Sequence, residues 1–357
     1  MPDSDPVLKV GIVGLGHLHP RAYMPLFEAV EGTRVTAVAE ADPALREPFC
    51  RDFGLTGYPT LEAMRATEEL DVAAIFLPHA DCPDAAEICA RAGLHLMVEK
   101  PMAADVPGAE RIVAAADRCQ VQLTTGYCWR LHPVTAEFKR LIDAGVIGRP
   151  VGAEGRCAAG RLHRYVEGHA PWMLQRARSG GGPMYNLGVH WIDLFRYLLA
   201  DEVVEVAGQN VTINTDYDIE DNAFAHLRFA AGTIAALDIS YTVPDAFPHG
   251  RDLYLALRGT RGAIAWAPAF EGEQDVLHVC SDHPDFAAAP RRQLHFELET
   301  VPGYCGAMGL AYVRDLVDAI RAGRAPAVTG RDGVEALKVV EAVYRSANEK
   351  RTVTIPR

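Results

Sequence analysis

The chain has 357 residues with 35 Lys+Arg and 47 Asp+Glu, a formal net charge of −12, 49% apolar residues and 23% charged ones. That make-up fits a soluble globular protein long enough for two domains; it excludes disorder, a collagen-like repeat and a small disulfide scaffold. The acidity argues against nucleic-acid binding, which needs a basic face to displace counterions.

The start, Met1-Pro2-Asp3-Ser4-Asp5-Pro6, lacks the basic and apolar regions of an export signal. No run approaches the roughly 18 apolar residues of a membrane helix. The eight cysteines include no C-x-x-C pair and read as reduced thiols, so a cytoplasmic protein without a membrane partner is expected. Thirty arginines stand against five lysines, so a lone arginine carries little information and a well-placed lysine carries more.

In chain order, Val7–Val13 predicts a buried strand ended by glycines. Residues 20–30 predict a helix with Pro20 in its first turn, and 35–39 a second strand. Helices over 43–53, 84–92 and 106–118 alternate with strands over 71–77, 95–98 and 121–125. Such alternation predicts βαβ units and a parallel sheet covered on both faces. After about residue 127 the texture changes. A helix over 133–143 precedes a Gly-, Arg- and His-rich stretch (152–182), then strands over 203–214, 221–229, 233–241, 253–258 and 263–267, a loop over 281–290, and helices near 306–322 and 332–348. The expected organisation is a Rossmann dinucleotide-binding domain (1–127) and a second α/β domain (128–357) with a large, mostly antiparallel open sheet.

Gly14-Leu15-Gly16-His17-Leu18-His19 joins the first strand to the first helix. Gly14 permits the tight turn and Gly16 lets backbone approach a pyrophosphate at the helix N-terminus; His19 replaces the third glycine of the usual pattern. Glu40, at the end of the second strand, is placed to accept hydrogen bonds from the adenosine ribose, which predicts NAD rather than NADP. Ala41 offers no partner for a 2′-phosphate, although Arg46 on the next helix could approach. His17 and His19 form an H-x-H without a clustered third ligand, so no metal is expected and both read as exposed loop histidines near the phosphates. Pro78 and His79, at a later strand end, are placed to line the cofactor crevice. Glu99-Lys100-Pro101 also follows a strand, where ligands of open α/β sheets sit; Pro101 restricts Lys100 and makes a cis bond possible.

The chain resembles the Gfo/Idh/MocA family of glucose–fructose oxidoreductase and inositol dehydrogenase relatives. The resemblance rests on Gly14 and Gly16, Glu40, Glu99-Lys100-Pro101, Gly126-Tyr127 with Arg130 and Pro133, the segment from Gly180 to Asp193, Gly259-Thr260-Arg261-Gly262 and the two final helices. It implies a bound nicotinamide cofactor, oxidation of a hydroxyl on a sugar or cyclitol, and a homo-oligomer (dimer or tetramer) using the open sheet. Lys100 is expected to hold the reacting oxygen and His190, with an ordinary pKa of about 6.5, to take the proton. Asn186 lies one helical turn before His190, and Asp193 is close enough to buttress it. Tyr127, Arg130 and Trp172 join Lys100, Asn186 and His190 as expected substrate contacts, and Tyr165 and Tyr185 either stack on a sugar or simply pack. Two departures stand out: the family usually has Asp where Asn186 stands, and a frequent loop histidine is replaced by Cys82. Five arginines (156, 161, 164, 176, 178) and two histidines (163, 169) crowd one segment, marking either a pocket for a carboxylate or phosphate or a solvated or interface surface. An NAD-retaining enzyme that cleaves or eliminates through transient oxidation, and a non-catalytic NAD-binding regulator, are the rival readings.

Overall fold

A computed structural model describes residues 6–269 and 273–356, so Met1–Asp5, on which the expectation about export rests, lie outside the described residues. The first domain runs β1 (Leu8–Val13), α1 (Pro20–Ala29), β2 (Thr33–Ala39), α2 (Pro43–Phe53), β3 (Thr56–Tyr58), α3 (Leu61–Thr67), β4 (Val72–Ile75), α4 (Cys82–Arg91), β5 (His95–Val98), α5 (Val106–Cys119) and β6 (Leu123–Thr125). The apolar strands β1, β4, β5 and β6 are buried on both faces and require covering helices on each side, and the six pair in parallel in the order β3-β2-β1-β4-β5-β6. That is the Rossmann order, whose ligand crevice lies beyond the carboxyl ends of the strands. The helices start where the sequence supplies caps: Asp42 accepts from the Ala44 amide and Asp105 from the Gly108 amide.

The second domain contributes α6 (Pro133–Asp143), β7 (Pro150–Ala159), α7 (Leu162–Glu167), α8 (Arg176–Ser179), α9 (Val189–Leu199), β8 (Val203–Val211), β9 (Asn222–Phe229), β10 (Ile234–Ser240), β11 (Arg251–Gly259), β12 (Gly262–Trp266), β13 (Asp275–Ser281), β14 (Arg291–Phe296), α10 (Gly306–Ala322), α11 (Gly330–Glu349) and β15 (Val353–Thr354). Its nine strands form one sheet, β14-β13-β12-β11-β7-β10-β9-β8-β15, antiparallel except for the β7–β10 pair. β7, at the centre of this sheet, lies in the stretch whose composition had suggested no strand; β13, β14, β3 and α3 were likewise not anticipated.

Two features bring the domains together. The parallel pair β7–β10 ends where the second domain meets the cofactor edge of the first, so Ala159 lines the cavity between them and Tyr241 hydrogen-bonds to a cavity-lining asparagine. The final helices return to the first domain: Tyr312, Val313, Leu316 and Val317 of α10 share a core with β1 and α1, and α11 packs on α5 and β8. No helix among the described residues is long and apolar enough to cross a membrane.

Candidate active site

At the end of β1, Gly14 has φ +86°, and a Cβ there would lie 2.6 Å from Leu77. Gly16 faces open space, since the nearest atom to a built Cβ is the His169 carbonyl oxygen at 4.0 Å. The loop is pinned from behind, because Trp172 Nε1 donates to the Gly16 carbonyl at 2.6 Å and its ring packs against His17 and His79. Trp172, expected as a substrate contact, instead fastens the glycine loop. Glu40 is half-buried, and its carboxylate accepts from the Leu15 amide at 2.7 Å and the Asp42 amide at 2.9 Å. Arg46 Nη1 donates to the Glu40 carbonyl at 2.6 Å, so this guanidinium does reach the strand end.

His17 and His19 are buried, contrary to the expectation of exposed loop histidines. His17 Nδ1 accepts from the His19 amide at 3.2 Å, which puts the imidazole proton on Nε2, a buried donor with no partner. His79 Nδ1 lies 2.8 Å from the Ser179 carbonyl, which can only accept; the proton sits on Nδ1, and buried Nε2 is an unpartnered acceptor. Both oxygens of buried Glu99 also lack a hydrogen bond, Oε1 standing 3.5 Å from His19 Nδ1. This mixed set of orphaned donors and acceptors beside an open glycine loop is what a ribose or carboxamide would satisfy. Burial pushes His17 and His19 well below the ordinary histidine value and His79 down to about 4, so all three are neutral near pH 7. The fold also gives the H-x-H a third donor: atoms of His17, His19 and Glu99 lie within 4.8 Å of one another, the one such group among the described residues. Cys82 lies buried beneath this loop, its Sγ 3.5 Å from the Leu77 and Pro78 carbonyls, leaving His79 as the loop's histidine.

Beside these groups is a cavity of about 550 Å³ lined by Lys100, Asn186, His190, Tyr165, His19 and Tyr304, among others. Lys100 follows β5, is 2% exposed, and its peptide bond to Pro101 is cis. Its Nζ donates to the Asn186 carbonyl at 2.9 Å and to Asn186 Oδ1 at 2.8 Å. Asn186 sits in a single π-helical turn, Met184–Gly188, that leads into α9, and Nδ2 of its amide donates to the hydroxyls of Tyr165 (2.8 Å) and Tyr241 (3.0 Å). Such turns widen a helix locally and recur at functional sites. The glycines before it serve packing: a Cβ on Gly182 would lie 2.0 Å from the Glu220 carbonyl oxygen. Burial lowers the Lys100 pKa below the ordinary lysine value and, with Lys100 and His19 nearby, lowers that of His190 well below 6.5.

Three further residues stand elsewhere than expected, and Tyr185 takes the packing alternative. Tyr127 is fully buried behind His190, its ring edge-on at 6.0 Å, and does not reach the cavity. Arg130 does not line the cavity; it donates to both oxygens of Asp193 and to Asp332 at 2.5–2.8 Å. Asp193 is thus committed to Arg130 and does not buttress His190, whose Nδ1 has no partner. Tyr185 packs on Tyr344, away from the cavity. The arginine-rich segment divides: Arg156 pairs with Asp252, Arg176 pairs with Glu220 while its Nε donates to the Asp218 carbonyl, and Arg178 pairs with Asp81, while Arg161, His163 and Arg164 line the cavity. Tyr304 and Cys305, which line the cavity, and Tyr241, bound to Asn186, were missed, and no local pattern marks them.

A Rossmann sheet, an open glycine loop and a buried strand-end lysine in a cavity between two domains define a dinucleotide-dependent oxidoreductase. Comparison with known proteins makes the class specific. Residues 8–127 match the oxidoreductase-family model for the NAD-binding Rossmann fold, and residues 139–355 match that for its C-terminal alpha/beta domain. The chain belongs to the Gfo/Idh/MocA oxidoreductase family, enzymes that act as dehydrogenases on CH–OH groups. It is 26% identical over 354 residues to D-apiose dehydrogenase of Paraburkholderia graminis (97% of this chain, 89% of the relative). It is 24% identical over 345 residues to scyllo-inositol 2-dehydrogenase (NAD(+)) of Bacillus subtilis (93% and 92%). The crystal structure of aldose-aldose oxidoreductase from Caulobacter crescentus complexed with glycerol superposes with a TM-score of 0.81 at 27% identity, covering 97% of this chain and 99% of that one.

Proposed function

We propose that the protein is an NAD-dependent oxidoreductase interconverting a secondary alcohol and the ketone of a sugar, sugar acid or cyclitol. The observation that carries this reading is the Lys100–Asn186 pair. A lysine ammonium has three protons, and Asn186 takes two of them through its carbonyl and Oδ1. The third is left for the oxygen of a substrate in the cavity, where a buried, charged donor stabilises a developing alkoxide. His190, neutral because it is buried beside Lys100, takes the hydroxyl proton in oxidation and returns it in reduction. Bound NAD supplies the hydride acceptor. Gly14, Gly16, His17, Leu18, Pro78, His79 and Glu99 hold its pyrophosphate and nicotinamide half, and Glu40 accepts from the adenosine ribose. The eight free cysteines suit a reducing, cytoplasmic setting. Exposed Val211, Phe224 and Ile234 on β8–β10 favour a homo-oligomer joined through that sheet.

The test is a screen of sugars, uronates and cyclitols with NAD and NADP, read as absorbance of the reduced cofactor, with Lys100→Met as control. The variant should lose about 10²-fold or more in kcat while keeping NADH affinity by fluorescence titration. Near-full turnover in Lys100→Met would refute the assignment.

A further inference from the structure

The lining of the cavity carries a charge pattern that oxidation of a neutral polyol does not need. In a chain of net charge −12, the cavity is lined by Lys100, Arg161, Arg164 and Arg251 and by one carboxylate, Glu167. These cations are not equivalent. Arg161 Nη2 donates to the Pro244 and Asp245 carbonyls, and its Nε lies 3.6 Å from the Asp245 carboxylate, so it holds a loop in place. Arg164 has no carboxylate partner among the described residues, yet it is near enough to Lys100 and His19 for its charge to disfavour their protonation. Its place on α7 is fixed by the next residue, Tyr165, which is buried and bound to Asn186. An exposed guanidinium with no carboxylate partner among the described residues thus lines the same cavity as the ammonium that would hold the reacting oxygen.

We infer that the substrate is a hydroxylated monocarboxylate, such as a uronate or aldonate, whose carboxylate is received by Arg164 while Lys100 holds the reacting oxygen. This rests on the function proposed above and narrows it. The carboxylate is a handle and is not transformed. A planar, two-pronged guanidinium suits a carboxylate, and an anion in this cavity neutralises charge that Lys100 and Arg164 otherwise oppose to each other. Arg164, without a carboxylate partner among the described residues and with Glu167 on the same short helix, suits a single negative charge better than a phosphate dianion.

Calorimetric binding to the enzyme saturated with NADH tests this with D-glucuronate against D-glucose, D-galacturonate against D-galactose, and D-gluconate against D-glucitol, at low and at 0.5 M salt. D-glucose 6-phosphate is a further arm. At least one acid should bind about tenfold or more tightly than its neutral partner, with an advantage that shrinks in salt. Arg164→Gln should abolish that preference, Arg164→Lys should keep part of it, and NADH affinity should be unchanged in both. Equal binding of every acid and its neutral partner, a preference that survives Arg164→Gln, or tighter binding of the phosphate than of any acid would overturn the inference. NADH affinity and turnover of neutral polyols report separately on the proposed oxidoreductase function.

Discussion

His79 makes the stability of the active-site region sensitive to acid. Its protonated form would place a second N–H, on Nε2, in a buried spot without an acceptor, and burial lowers its pKa from 6.5 to about 4. A histidine whose folded value lies below its unfolded value lets the unfolded chain bind more protons between the two. Its contribution to stability is therefore complete above pH 6.5 and is lost as the pH falls toward 4. At 1.36 kcal/mol per pKa unit, the loss from this one side chain is about 3 kcal/mol. His17, His19 and His190 act in the same direction, whereas Asp193, raised to about 6 by burial against the pull of Arg130, acts in the opposite one. The total for the wild type is thus a composite, and a difference isolates His79. His79→Gln keeps an N–H for the Ser179 carbonyl and has nothing to titrate. Urea unfolding followed by tryptophan fluorescence from pH 7.5 to 4 should show the wild type losing about 3 kcal/mol more than the variant, a difference of about 1 M in midpoint. Parallel pH profiles for the two proteins would refute the assigned protonation state of His79.

Four further outcomes are expected. In Asn186→Asp a carboxylate beside Nζ stabilises the ammonium, so the alkaline limb of kcat/KM should move to higher pH; an unmoved limb would show that Lys100 is not the group titrating there. Arg130→Met leaves Asp193 buried without its partner and should cost about 3–5 kcal/mol in stability by chemical denaturation. A selective loss of substrate affinity in folded Arg130→Met would instead restore Arg130 to the substrate site. NADH should bind more tightly than NADPH by fluorescence titration, and Glu40→Ser should narrow the gap, because Arg46 then stands beside the ribose without the opposing carboxylate; an unchanged ratio would remove Glu40 from the adenosine site. Dialysis against EDTA should leave turnover and NADH affinity intact, since Lys100 beside His17, His19 and Glu99 opposes a cation there; activity lost and then restored by a divalent metal would make that group a metal centre.

The strand ends of the first domain were legible in the sequence because apolar runs mark the strands: Gly14, Glu40, His79 and Lys100 each follow one. β7 was not legible. Its alternation is carried by Gly155, Cys157 and Ala159, small because Trp191 packs against the strand: a Cβ on Gly155 would lie 2.3 Å from that indole. β14, an edge strand reading Arg-Arg-Gln-Leu-His-Phe, has only one half-apolar face to announce it. Arg130 was misplaced because its second carboxylate, Asp332, lies 202 residues away, a separation that no local pattern reports. His17 and His19 were read as exposed because the second domain's Trp172 and the Tyr304 ring stacked on His19, which cover them, arrive from distant sequence.

The return of α10 bears on how such chains can be recombined. Its apolar face completes the interior around Leu26 and Phe27, and just before it the Tyr304 amide donates to the Ala22 carbonyl while the Tyr304 ring lies on His19. A fragment ending at residue 127 would leave that interior open to water and the dinucleotide loop missing one wall. A chimera that borrows a relative's first domain therefore has two seams: one after β6, and a second bracketing the segment from Tyr304 to Ala322, which must travel with residues 8–127 even though nearly the whole second domain separates them in sequence.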